Sequence, residues 1–446
     1  MKTMKKLLVL MLAAAMLLSI AACAATTNDP TPSTDPAPAA EEPTQTAEPS
    51  AEKESLEVWA ISSGTETDQY LRDFASAHPE VDYTITFYSD DDLKTQSKIA
   101  LDSGIVPDVF FGHAGADFSE YYASGVLKDI TQLIKDNGTY DRIESGYYGP
   151  YTVDDKIYGY PEAVLTPWQS LYVNRDIFDA CGITEDPTTV DELIATCNTI
   201  RENGYDPIAI GDKDGWPAVI LCGDYYAQQT ADYGELNKIL TGEDTFPGNE
   251  VFRNAFATVV ELGQNGAYMS GFSSTDHNTA IQAFAAGQTA MLYCGSWWSS
   301  IAGGTDNGFT LDVIQLPLME GLTDNVSVQL CADIALLPTK DANESALGKF
   351  FDYISDGGYW TVMGNEYNSF TMVSSVNENL NLDLVFLKEP IIRQFDKPVL
   401  SPFFDNMFPA AVLTEMETAF QQAIAGEITV DQALENIQAV MDQNLG

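Results

Sequence analysis

AIQAFAAGQTAMLYCGSWWS, residues 280–299, is the stretch on which the reading of the fold turns. Ala280, Ile281 and Phe284 recur at helical spacing, and Asp276 just upstream is an N-cap residue whose oxygens can accept from the first free N–H groups. Gly287 stops the helix, since glycine takes the left-handed conformation without a Cβ penalty. Residues 289–294 are short, apolar and bounded by glycines, the pattern of a buried strand. Gly295, Ser296, Trp297 and Trp298 then follow the strand's carboxyl end, and in open α/β sheets ligands bind beyond that end. Adjacent tryptophans there either plug the core or line a site, and the residues alone leave both readings open.

The same alternation extends outward. Residues 56–61 (LEVWAI) read as a strand, 62–66 as a polar loop, and Tyr70, Leu71 and Phe74 as a helix face. Residues 81–87 (VDYTITF) alternate as a second strand, and 94–101 are helical. Residues 104–112 (GIVPDVFFG) give a third strand with a loop at 113–117. Thr189 and Glu192 make a capping-box pair ahead of Val190, Leu193, Ile194, Cys197 and Ile200, with a stop at Gly204. Residues 207–210 (PIAI) form another strand, with Trp216 beyond it. Thr429 and Gln432 repeat the capping pair before an apolar stripe of Val430, Ala433, Leu434, Ile437, Val440 and Met441. Strands alternating with helices predict an α/β protein with mostly parallel sheets.

These motifs, in this order, resemble the family 1 extracellular solute-binding proteins of carbohydrate ABC transporters, the group that includes maltose-binding protein. The family's A-F-x-x-G-x-x-A-M, strand and G-x-W stand here as Ala283-Phe284, Gly287, Ala290-Met291, Gly295 and Trp297. Its G-x-x-P-D-v matches Gly104, Pro107, Asp108 and Val109; its K-x-Y-G-x-P matches Lys156, Tyr158, Gly159 and Pro161. Its Y-Y-N-K-D-l-F resembles residues 171–178 (LYVNRDIF), and its closing G-x-x-t-v-d-e-A-L resembles 426–434. The resemblance covers nearly everything from residue 56 onward. It implies a two-lobed periplasmic-binding-protein-like fold, each lobe a mostly parallel sheet flanked by helices, with a ligand cleft between. The N-terminal lobe is expected at 56–163 plus 330–375 and the C-terminal lobe at 164–329 plus 376–446, with crossings near 163, 329 and 375.

The chain of 446 residues is long enough for two substantial cores. Its 66 acidic and 21 basic residues give a net charge of −45, which argues against nucleic acid and against binding to anionic lipid surfaces. The six cysteines, at 23, 181, 197, 222, 294 and 331, form no C-x-x-C and no zinc pattern, so buried free thiols are expected. Lys2, Lys5 and Lys6 precede an apolar run at 7–20 that is short for a membrane span. The run ends in Ile20-Ala21-Ala22-Cys23, which resembles a bacterial lipobox with Ile in place of the commoner Leu. We read residues 1–23 as a lipoprotein signal peptide with Cys23 lipidated; the plainer reading is a secretory signal with a Cys there by chance. Residues 24–55 hold six prolines among Thr, Ser, Ala and Glu and no large apolar residue, so they read as a disordered linker.

Enzymatic signatures such as H-E-x-x-H, G-x-S-x-G and G-x-G-x-x-G are absent from the sequence, and His78, His113 and His277 are too scattered for a metal site, with His78 and His277 read as solvated. No catalytic residue, cofactor or metal is expected. A sugar needs aromatic faces for its C–H surfaces and acids or amides for its hydroxyls. The strand-end loops offer Ser63, Gly64 and Glu66, then His113 and Asp117, then Trp216, and finally Trp297 and Trp298, while Glu162 and Trp168 flank the first crossing. Family carry-over places ligand contacts most firmly at Trp297, next at Ser63, Asp117 and Trp216, and then at Glu162 and Trp168. Phe403, Phe404 and Phe408 lie where the family often adds an aromatic. None of the arginines falls in these loops, so an uncharged solute is expected.

The resemblance implies the substrate-binding component of an ABC importer, extracytoplasmic and tied to the cell membrane through its N-terminal lipid only. It would capture a neutral sugar or oligosaccharide by hinge closure, serve permease subunits, bind no nucleic acid and act as a monomer. A secreted carbohydrate-active enzyme with a carboxylate pair, or a surface adhesin without an enclosed cleft, are the alternatives.

Overall fold

The computed structural model describes residues 54–445, apart from 63, 168, 332, 333, 396 and 397. The signal peptide, Cys23 and the linker up to residue 53 therefore lie outside the described residues, as do Ser63 and Trp168. The first strand, Glu54–Ile61, begins two residues before the expected linker end. Glu54 and Ser55 pair in register with Val81 and Asp82, and Lys349 reaches the Glu54 carboxylate at 2.7 Å, so backbone pairing and an ion pair hold these residues on the sheet.

Three of the four sheets among the described residues organise the chain. The first runs Val81–Tyr88, Glu54–Ile61, Val109–His113, Ile334–Pro338, Tyr160–Pro161, with the first three strands parallel and the last two joining antiparallel. Leu56, Val58 and Ala60 alternate into its core, where they meet Leu71 and Phe74 of the helix Thr65–Ala77 and Phe350 and Phe351 of the helix Glu344–Ile354. The second sheet runs Leu311–Gln315, Ser170–Asn174, Thr289–Leu292, Asp206–Ala209. Its last pair is parallel and the other two antiparallel. Its core includes Leu193, Cys197 and Ile200, spaced as the sequence pattern requires.

The third sheet joins the other two. Val164–Pro167 lies in the chain between a strand of the first sheet and Ser170–Asn174 of the second, and Val328–Cys331 makes the return journey. The two are antiparallel neighbours, with Leu330 opposite Pro167 and Cys331 opposite Thr166. Phe370–Thr371 extends this sheet beside Val164–Pro167, and Pro398–Ser401 extends it beside Val328–Cys331. Between these outer strands the chain changes sides again: Met372, Val373 and Val376 pack into the first core, whereas Val385, Phe386 and Ile391 pack around Trp298 beside the second sheet.

Local chemistry sets many element boundaries. Asp276 accepts from Thr279 N–H at 2.9 Å to start the helix His277–Ala285, and Gly287 lies at φ 70° just beyond its end. The strand Thr289–Leu292 follows. Both capping boxes form, Thr189 with Glu192 and Thr429 with Gln432. Cys181, Cys197, Cys222 and Cys294 are free thiols, the last three buried.

Candidate functional site

The ends of the first two sheets face a cleft of about 580 Å³, floored by the start of the first connecting strand. On the first wall, Ser62 follows the strand Glu54–Ile61 and donates to Asp68 at 2.7 Å. Ser89 follows Val81–Tyr88 and caps the helix Asp90–Ser103, accepting from Asp92 N–H. This cap places Asp90 at the cleft edge, 3.1 Å from Lys94 and 2.7 Å from His113 Nε2. Burial pushes the Asp90 carboxyl up, but Lys94 and His113 outweigh it and hold the group well below the usual carboxylate range. Burial likewise acts to lower Lys94, but Asp90, Asp405 and Asp117 outweigh it and hold the ammonium charged.

The second wall is aromatic. Trp216 opens the helix Trp216–Ala227 directly after Gly215. Gly215 sits at φ 84°, and a Cβ there would lie 2.5 Å from the Glu417 side chain, so only glycine fits both the turn and that contact. The Trp216 ring lies 4.5 Å from the His277 ring, His277 lies 6.3 Å from Trp297, and Trp297 meets Phe403 edge-on at 6.0 Å. All four rings line the cleft. Burial pushes His277 down to about 4, so the imidazole is neutral at pH 7. Its Nε2 lies 3.5 Å from the Cys294 thiol. Asp276 also lines the cleft, though its carboxylate is engaged in capping.

Glu162 forms part of the floor and is only 3% exposed. Its backbone N–H donates to Ile334 O at 2.8 Å, and the Tyr359 hydroxyl donates to its Oε1. Burial pushes the Glu162 carboxyl up to about 8, with Tyr359 opposing.

Of the residues singled out in the sequence, His113, Glu162, Trp216 and Trp297 are brought together here. Four others are placed outside this lining. Trp298 is fully buried, packed among Tyr172, Phe284 and Phe386, because the short helix Trp298–Ala302 that starts at this residue turns its indole inward while Trp297 stays at the rim. Gly64 and Glu66 are not in the lining. The N–H groups of Glu66 and Thr67 donate instead to the Glu366 carboxylate, at 3.0 and 2.8 Å, so the helix N-terminus is already occupied by an internal anion. A Cβ on Gly64 would come within 2.4 Å of that carboxyl. Asp117 also lies outside the lining; it sits 3.8 Å from Lys98 and adds to the field that holds Lys94 charged.

Among the three phenylalanines, Phe403 lines the cleft while Phe404 and Phe408 are buried in the second core. His277 is a cleft residue rather than a solvated one. Asp90, Lys94 and Asp405 were missed by sequence reasoning. The signal for the first two was present: a capping serine directly after a strand puts the next helix's first turn at the strand's carboxyl end. Nothing local marks Asp405, which arrives from a distant part of the chain.

Residues 61–355 match the model of the bacterial extracellular solute-binding protein family. An uncharacterised ABC transporter extracellular-binding protein of Pyrococcus horikoshii, PH1214, is 26% identical over 371 residues, spanning 78% of this chain and 76% of that protein. Among solved structures, a chitin oligosaccharide binding protein superposes with a TM-score of 0.77 at 21% identity, covering 88% of this chain and 99% of its own. The bacterial solute receptor AcbH gives 0.73 at 17% identity, with 89% and 100% covered. The GacH receptor of Streptomyces glaucescens gives 0.67 at 20% identity, with 88% and 99% covered. With a two-lobed α/β architecture, a cleft between its two main sheets and a family match over most of its length, the chain belongs to the bacterial extracellular solute-binding proteins.

Proposed function

We propose that this chain is the lipid-anchored substrate-binding component of an ABC importer, that it captures a neutral sugar or oligosaccharide, and that it does no chemistry on it. The observation that carries the reading is the lining of the cleft. Trp216, Trp297 and Phe403 offer faces for the C–H surfaces of a pyranose, and carboxylates such as Asp90, Asp214 and Asp405 accept from hydroxyls. Arginine is absent from the lining. Lys94 and Lys213 do line it, but Lys94 is held by Asp90 and the lysines are outnumbered by acids. An anionic solute would enter against that field. The similar proteins support a sugar: one binds chitin oligosaccharides, AcbH prefers β-D-galactopyranose, and GacH was solved with acarbose.

In this reading the two lobes are those expected from the sequence, and the third sheet carries the hinge. The ligand favours the closed state by its greater affinity for it, and the closed form is presented to permease subunits. The full chain should be screened by thermal shift against neutral mono- and oligosaccharides and their phosphates. At 100 times its Kd a ligand adds ~2.7 kcal/mol, so a neutral hit should be plain. A response to sugar phosphates alone would overturn the reading. Metabolic labelling with palmitate, lost in Cys23→Ser, tests the anchor.

A further inference from the structure

The carboxylates on the first wall can only accept hydrogen bonds, yet a sugar also presents oxygens that can only accept: the ring oxygen, the glycosidic oxygen, an acetamido carbonyl. The floor supplies a group suited to them. Glu162 is 3% exposed, and its backbone is fixed by the bond to Ile334 O. Its Oε1 takes the Tyr359 hydroxyl. Its Oε2 has no hydrogen-bond partner among the described residues, and Glu162 belongs to the cleft lining. Neither cleft lysine pairs with it: Lys94 is bound to Asp90. A carboxylate buried without a cation is costly, and the cheapest relief is a proton. Since Oε1 already accepts, that proton belongs on Oε2.

We propose that Glu162 meets the solute as a neutral carboxylic acid and donates its Oε2–H to an acceptor oxygen of the sugar. The assignment rests on the sugar reading of the cleft and adds to it a specificity: the sugar must place an acceptor-only oxygen over the floor. Burial pushes the group up to about 8, in keeping with a protonated acid at neutral pH. The titratable neighbours are Tyr359 and Tyr367, Asp68 behind Tyr359, and His113 at the end of its strand; of these Tyr359, through its hydrogen bond, opposes the rise that burial causes at Glu162. Asp333, beside Ile334 in the chain, lies outside the described residues. The sign follows directly. The donor is present below about 8 and is lost as pH rises through that value, so sugar binding weakens in alkali and takes up a proton there.

Two measurements on the full chain test this. In difference infrared spectra of wild type minus Glu162→Gln, without sugar, a protonated-carboxyl C=O band should stand at about pH 7 and fade by about pH 10. Calorimetry with N,N′-diacetylchitobiose, or the panel sugar that raises melting most, should show wild-type affinity about tenfold weaker at pH 9 than at pH 7. Glu162→Gln, whose amide can donate in place of the acid, should bind within about threefold of wild type at pH 7 and show a flatter pH profile. That comparison matters because Glu417 and Asp212, on the other side of the cleft, are also pushed up to about 8. A missing band at pH 7, or a Gln variant as pH-dependent as wild type, overturns the proposal. If the band titrates as described but no sugar binds at any pH, the sugar reading falls and takes the donated bond with it, leaving only a neutral buried acid.

Discussion

Two neighbouring indoles show what a single residue step decides. Trp297 lines the cleft between His277 and Phe403, and Trp298 is fully buried one position later. Trp297→Ala should weaken sugar binding by roughly 30- to 1000-fold while barely moving the melting temperature, since truncating a well-placed aromatic anchor costs about 2–4 kcal/mol of binding. Trp298→Ala should do the reverse: a loss of ~3–5 kcal/mol in stability, with the surviving folded protein binding nearly normally. Calorimetric affinity and denaturant melts on the pair separate these outcomes. His277 yields a pH prediction. Its imidazole is held down to about 4, so the unfolded chain binds more protons than the folded one between about 4 and the ordinary histidine value, and stability is lost as pH falls through that window. His277→Asn should blunt the loss in melts between about pH 6.5 and pH 4. The sequence could not sort Trp297 from Trp298, because a loop has no periodicity from which to read an inward face. Nor could it place His277, whose environment is made by Trp216 and Cys294 arriving from other elements.

At the scale of elements, the sequence was most legible where local chemistry decides. Caps and apolar stripes located the helices ending in residues 202, 285 and 444, because a capping side chain and its N–H partners are only three positions apart. Thr189→Ala should cost about 1 kcal/mol of stability and leave ligand affinity unchanged. The helix Trp216–Ala227 was less legible, since it is buried on nearly every side and so shows no amphipathic stripe. It carries Asp224, fully buried, with one oxygen accepting from the Tyr293 hydroxyl at 2.6 Å. Burial pushes that carboxyl up to about 8. The unfolded chain therefore holds fewer protons than the folded one from the ordinary carboxylate range up to about 8, and stability falls as pH rises across that interval. Asp224→Asn removes the titration and should melt higher than wild type at about pH 8, with little difference at about pH 4. A wild-type advantage at the higher pH would mean the carboxylate is ionised and paired.

For the whole molecule, the order of motifs was enough to foresee the α/β architecture, whereas the mixed strand directions follow from returns that no local pattern encodes. The connecting strands illustrate this: residues 328–331 sit beside 164–167 only because two separate sheets must each be re-entered. The first described strand begins at Glu54, so a chain starting there should melt within about 2 °C of the full chain and bind with the same affinity. Cutting two residues later removes Glu54 and its bond to Lys349 and should lower the melt slightly.

The split between the tryptophans has an optical consequence. Trp298 and Trp360 are sealed from water, while Trp216 and Trp297 face the cleft. Acrylamide, an uncharged contact quencher of indole emission, should therefore reach the cleft pair, where an anion would be repelled, and largely spare the sealed pair. A solute seated between the lobes should shield the cleft pair in turn, so the protein carries its own unlabelled fluorescent gauge of occupancy.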